Sequence, residues 1–111
     1  MKAVQAMHDD CARAWTLDKL AQHAGLSRTS LAERFRESMG NTPLNYLRTV
    51  RMQKAMAALS ESERSMEQIA REVGYTDAFS FSKVFKRTVG TAPRDFRRQD
   101  TEDKSLAWRI D

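Results

Sequence analysis

The chain repeats itself. Across its 111 residues, Leu17, Leu20, Ala21, Ala24, Gly25 and Leu26 return as Met66, Ile69, Ala70, Val73, Gly74 and Tyr75, at an offset of 49. The offset then becomes 50, pairing Leu31 with Phe81, Phe35 with Phe85, Gly40 with Gly90, Pro43 with Pro93 and Tyr46 with Phe96. One extra residue in the second copy's turn, just after its glycine, accounts for the change. Self-similarity over about thirty residues is the mark of one small supersecondary unit made twice. The length allows one ordinary domain or two very small ones.

Each copy reads as helix, tight turn, helix. In the first, Thr16 is a candidate N-cap and Asp18 sits in the first turn, where a carboxylate favours the helix dipole. Leu17, Leu20, Ala21 and Ala24 fall on one face at helical spacing. Gly25 ends the helix because the chain must turn left-handed there, and Leu26 plugs the turn. Ser27 caps a second helix whose inward residues are Leu31, Phe35 and Met39, with Gly40 at its end. In the second copy Ser65 and Gln68 form a capping-box pattern, and Met66, Ile69, Ala70 and Val73 face the core up to Gly74. Thr76 or Asp77 starts the last helix of the copy, with Phe81, Phe85 and Val89 inward and Gly90 after it.

A third kind of element joins the copies. Thr42 followed by Pro43 is a cap with proline at the first helical position, where the missing N–H is harmless. Leu44, Leu47, Met52, Ala55, Met56 and Leu59 continue at helical spacing, predicting a helix over 43–59, roughly 25 Å long. Residues before about Ala14 read as one amphipathic lead helix with Val4 and Met7 on its apolar side. Pro93 opens a short helix containing Phe96. The expected fold is all-α: two helix-turn-helix subdomains joined by a long central helix, about seven helices in all. The expected division is 1–59 for the lead helix, first subdomain and central helix, 60–98 for the second subdomain, and 99–111 for a polar tail that is either docked through Leu106, Trp108 and Ile110 or loose.

Charge narrows the partner. Lys plus Arg is 19 and Asp plus Glu 15, so the net charge is +4, with a pI near 9.6. Residues 43–60 hold Arg48, Arg51 and Lys54 and no acid; residues 79–98 hold Lys83, Lys86, Arg87, Arg94, Arg97 and Arg98 against Asp95. Basic side chains gathered in segments are the electrostatic footprint of a polyanion partner, and equally the composition of a solvated helix face. Four Gly and two Pro exclude collagen-like and linker-like chains. No stretch approaches 18 apolar residues, and the first residues lack the apolar core of a secretory signal. The single cysteine, Cys11, forms no intrachain disulfide, which suits the cytoplasm.

A second helix that enters the DNA major groove while the first crosses the backbone is the helix-turn-helix mode. Trp15, Leu20-Ala21, Ala24-Gly25-Leu26-Ser27, Arg34-Phe35, Gly40, Pro43, Tyr46-Leu47, Ile69-Ala70, Val73-Gly74-Tyr75, Phe81-Ser82, Phe85-Lys86, Gly90, Pro93 and Phe96-Arg97 resemble the DNA-binding domain of the AraC/XylS family of bacterial transcription regulators. The match covers about 15–98, and 69–93 is its most specific part. The resemblance implies a sequence-specific regulator that places two recognition helices in successive major grooves of an asymmetric promoter site. It implies double-stranded DNA as partner, RNA polymerase as a second one, no cofactor, and a monomer in this form. It also implies DNA-binding positions: Arg28, Thr29, Ala32, Glu33 and Arg36 in the first recognition helix, and Phe79, Ser80, Lys83 and Arg87 in the second. Two departures stand out. Lys83 replaces the family's common Arg, exchanging a bidentate fork for a point charge, and Glu33 brings an acid to a base-facing position.

Two other classes compete. A protein-interaction scaffold built from the same helices requires an exposed apolar face on the second helices. An enzyme requires a catalytic constellation; the chain has no Walker-type loop, no HExxH and no nucleophile elbow. His8 and His23 lack ligand partners at metal-binding spacing. Arg94, Arg97 and Arg98 divide between phosphate contacts and solvated charges, Phe79 between core and DNA contact, and Trp15 reads as an anchor. Sensor domains precede this region in many family members, so the chain is expected to be either the C-terminal part of a larger regulator or a short stand-alone member, the lead helix close to Met1 fitting the first slightly better.

Overall fold

The computed structural model describes residues 1–99. The tail expected over 99–111 lies, apart from its first residue, outside the described residues. Among the described residues every regular element is helical: α1 (Lys2–Asp9), α2 (Leu17–Ala24), α3 (Arg28–Met39), α4 (Pro43–Glu61), α5 (Met66–Glu72) and α6 (Ala78–Val89). A seventh helix, α7, occupies 93–99. The chain packs as two units, one of Met1–Arg51 and one beginning at Met52, with the boundary inside α4.

The repeat is carried in three dimensions by equivalent bonds. After α2 the Leu26 N–H reaches the Ala21 carbonyl at 2.9 Å; after α5 the Tyr75 N–H reaches the Ala70 carbonyl at 2.8 Å. Gly25 at φ 70° and Gly74 at φ 99° supply the left-handed residue that this closure needs. The extra residue is Thr76. Asp77, and not Thr76, caps α6, as Ser27 caps α3. The capping box of Ser65 with Gln68 and the Thr16 cap of α2 are both present.

Each unit closes over its own core. In the first, Met7, Leu20, Ala21, Leu31, Phe35, Leu47 and Val50 are buried together with Cys11 and Trp15. In the second, Met52, Ala55, Leu59, Ile69, Ala70, Val73, Phe81 and Phe85 are buried. Phe35 meets the Tyr46 ring edge-on at 5.7 Å, and Phe85 meets Phe96 edge-on at 5.6 Å, so the paired sequence positions are paired contacts.

Several expectations need correction. The lead helix ends at Asp9 rather than near Ala14, because Asp10 leaves helical geometry at φ −147°, ψ 67°. Its carbonyl accepts the Trp15 indole N–H at 2.8 Å, which fixes Trp15 as an anchor. α4 runs to Glu61, two residues past the expected end, and the following Ser62 bonds back to Ala58. Met39 and Leu44, placed inward or on an apolar run by spacing, are exposed at the ends of their helices. Val89 is only half-buried.

Candidate nucleic-acid interface

Leu31 and Phe35 are fully buried and fix which way α3 is turned. Thr29, Ala32, Glu33 and Arg36, one or two positions from these two, are thereby turned outward. Arg28, Thr29, Ala32, Glu33 and Arg36 are all exposed, and together with Leu17 of α2 they border one shallow surface hollow of about 430 Å³. The structure therefore gathers all five expected positions of the first unit. Arg28 is not unengaged: its Nε lies 3.2 Å from the Asp18 carboxylate of α2, an ion pair in which both side chains are largely exposed. Such a pair contributes little stability and yields readily to a stronger anion.

On α6 the buried pair is Phe81 and Phe85. Phe79, Lys83 and Arg87 lie outside, Phe79 with 70% of its surface in solvent. This places Phe79 away from the core. The Lys83 ammonium rests 4.4 Å from the centre of the Phe79 ring, one turn along, a cation–π contact. Ser80 differs from its neighbours. It is half-buried, and its N–H goes to the Asp77 carboxylate at 2.7 Å as part of the helix cap. That bond, reinforced by the Ser80 hydroxyl, holds the Asp77 carboxyl below the ordinary carboxylate range. Its counterpart Ser30 receives the Ser27 hydroxyl in the same corner of the first unit.

Two of the basic residues have structural work. Arg51 donates through Nε to the Cys11 carbonyl at 2.8 Å and through Nη2 to Arg13 at 3.0 Å. Arg97 donates through Nε to Leu59 at 3.1 Å and through Nη2 to Ser62 at 3.2 Å and Arg64 at 2.9 Å. Each guanidinium thus ties down the loop that leads into its unit's first helix-turn-helix element, α2 or α5. Arg97 leaves the pool of candidate phosphate contacts. Arg98 bonds Asp95 at 3.4 Å, and Arg94 is exposed. Among the described residues no group of three His, Cys, Asp or Glu side chains is placed to hold a metal ion, and no helix is long and apolar enough to cross a membrane.

Comparison with known proteins places this architecture. The family model described as a helix-turn-helix domain matches residues 20–99. An AraC-like transcription regulator of Streptomyces lividans is 39% identical over 99 residues, 89% of this chain and 33% of that protein. The chain spans about a third of the length of the curated relatives it matches. An AraC-type transcriptional regulator from Chromobacterium violaceum superposes with a TM-score of 0.82 at 26% identity, covering 89% of this chain and 88% of that one. The DNA-binding domain of AdpA, solved in complex with a target DNA, superposes with a TM-score of 0.78 at 27% identity, covering 86% and 85%. With two helix-turn-helix units, equivalent turn bonds and the matched span together, the chain belongs to the AraC-type helix-turn-helix family.

Proposed function

We propose that the chain is a sequence-specific, double-stranded DNA-binding transcription regulator that reads its site with α3 and α6. The observation that carries this is the division of each helix: a fully buried Leu31–Phe35 or Phe81–Phe85 pair on one side, and an outward face of Thr29, Ala32, Glu33 and Arg36 or Phe79, Lys83 and Arg87 on the other. Arg28 adds a cation at the start of α3, and Ser80 serves mainly to close the cap of α6. One chain carries two readers, so a monomer suffices for an asymmetric site of about two helical turns. RNA polymerase is the second partner of this reading, and the cytoplasm its place of action.

The scaffold reading has less support. Among the described residues the large exposed apolar side chains are Met1, Met39, Leu44 and Phe79. They are single residues on different elements, the ordinary condition of a soluble surface rather than a docking face. The relatives bear the names of transcription regulators, not of enzymes.

The test is affinity for duplex DNA against salt. Log affinity is expected to fall steeply and linearly with log salt, as release of about 5–8 counterions requires. The Arg51 and Arg97 forks are engaged with carbonyls, so the cations available are chiefly those of α3, α6 and the exposed side of α4. A flat dependence, or no binding to any member of a random duplex library, sinks the proposal.

A further inference from the structure

Phe79 is more exposed than any other large apolar side chain of the described residues, 70% against 47% for Met1, 45% for Leu44 and 39% for Met39. Packing does not ask for it, because Phe81 and Phe85 already fill the core side of α6 at 0% exposure. Its ring face is covered instead by the Lys83 ammonium at 4.4 Å. The contact has a consequence for Lys83. A lysine is a flexible point charge with no built-in direction, and a ring held one helical turn earlier restrains where that charge can sit. The pair is therefore one composite surface: an apolar ring edge beside a positioned donor.

Few base edges in the major groove match such a surface. The C5 methyl of a pyrimidine is the apolar group there, and guanine offers two adjacent acceptors, O6 and N7. Resting on the DNA-binding reading above, we propose that Phe79 and Lys83 together read one base step in which a 5-methylpyrimidine adjoins a guanine, Phe79 taking the methyl group and Lys83 donating to the guanine. Thymine and 5-methylcytosine carry the same methyl at the same ring position. The site thus accepts a thymine–guanine step or a methylated cytosine–guanine step, and disfavours the unmethylated cytosine–guanine step. Binding becomes responsive to cytosine methylation at that one position.

The experiment uses the whole chain and a duplex selected by it from a random library. Each thymine is replaced in turn by deoxyuridine, which removes only the methyl. One thymine next to a guanine is expected to lose about fourfold in affinity, the equivalent of ~0.8 kcal/mol for one buried carbon. In Phe79→Ala the thymine and deoxyuridine duplexes should bind alike, while Phe79→Leu keeps part of the difference; the exposure of Phe79 leaves the melting temperature unchanged in both. Exchanging that thymine–adenine pair for 5-methylcytosine–guanine should bind about fourfold better than exchanging it for cytosine–guanine. Replacing the neighbouring guanine by 7-deazaguanine should weaken wild type and leave Lys83→Ala unmoved. The inference is overturned if no thymine responds, if the response persists in Phe79→Ala, or if 7-deazaguanine weakens both proteins equally. If no duplex is enriched at all, the DNA-binding reading itself falls first.

Discussion

Thr29 and Glu33 hold on α3 the places that Phe79 and Lys83 hold on α6, fifty residues on. The inward neighbours barely differ: Leu31 and Phe35 in one unit, Phe81 and Phe85 in the other, all fully buried. The outward neighbours have opposite chemistry. α3 mixes Arg28, Arg34 and Arg36 with Glu33 and Glu37, whereas α6 carries Lys83, Lys86 and Arg87 with no acid. Packing constrains the inner face to one solution and leaves the outer face free to diverge, because an exposed substitution changes stability by little. On the proposed DNA-binding reading the two units are expected to do different work: α6 to supply attraction to the polyanion, and α3, with Glu33 on its outward face, to supply selectivity at the expense of non-specific affinity.

The largest expected effect tests whether the two units are held in the same way. Arg51 and Arg97 sit at non-equivalent repeat positions yet do the same thing, forking onto carbonyls of the stretch that leads into α2 or, from the last turn of α4 onward, into α5. Hydrogen bonds from a charged donor contribute about 1.5–3 kcal/mol each, and losing a fork takes that donor from the part-buried Cys11 carbonyl in one unit, or from those of Leu59 and Ser62 in the other. Arg97→Ala and Arg51→Ala are each expected to lower stability by roughly 3 kcal/mol in urea denaturation. The salt slope of DNA binding should stay as in wild type. A stable Arg97→Ala protein with a shallower salt slope would make Arg97 a phosphate contact and break the parallel.

Next in size is the contrast between the readers themselves. Lys83→Ala is expected to weaken binding to a selected duplex by roughly 2 kcal/mol, within the range of a base-edge contact. Glu33→Ala should move the other way on random DNA, because a carboxylate near phosphates is repelled, and should relax preference at one base pair where Glu33 accepts from cytosine N4. Equilibrium binding of both variants to the selected duplex and to random DNA, side by side with library selection, measures each. Equal shifts of the same sign in the two variants would remove the division of labour between α3 and α6.

Much of this was legible in the sequence because the signals are local or repeated. Glycine at the turns, a Ser, Thr or Asp at the caps and the Leu31–Phe35 spacing each have a short-range physical cause, and each has its counterpart in the other copy. The outward faces of α3 and α6 followed from the buried pairs. The Phe79–Lys83 contact was also within reach, since residues four apart on a helix are neighbours. What spacing left out are bonds to backbone carbonyls. Every residue has one, so no sequence feature marks Cys11, Arg13 or Leu59 as acceptors, and Arg51 and Arg97 looked like any other basic residue. The Asp18–Arg28 pair was hidden for a related reason: it joins two helices across a turn. Met39 and Leu44 misled because periodicity near a helix end continues past the point where anything lies opposite to cover it.

The smallest effect sharpens the comparison at the helix caps. α3 begins at Ser27 and α6 at Asp77, and each side chain accepts the N–H three residues on, from Ser30 at 3.1 Å and from Ser80 at 2.7 Å. Only the second cap titrates. The Ser80 N–H, with the Ser80 hydroxyl behind it, favours the charged form and lowers the Asp77 pKa relative to the unfolded chain. A group whose folded pKa is depressed stabilises the fold fully above its unfolded pKa, and that stabilisation fades as pH falls through the folded value. The second unit should thus lose its cap in acid while the first keeps its own. Asp77→Ser gives α6 the cap of α3, and the variant's melting temperature should fall less than that of wild type between neutral pH and pH of about 3, a range that crosses the ordinary carboxylate pKa. The two proteins differ at residue 77 alone, so the difference between the two curves is the readout. Curves that run parallel down the acid limb would mean that the Asp77 charge adds nothing beyond what a neutral hydroxyl already supplies.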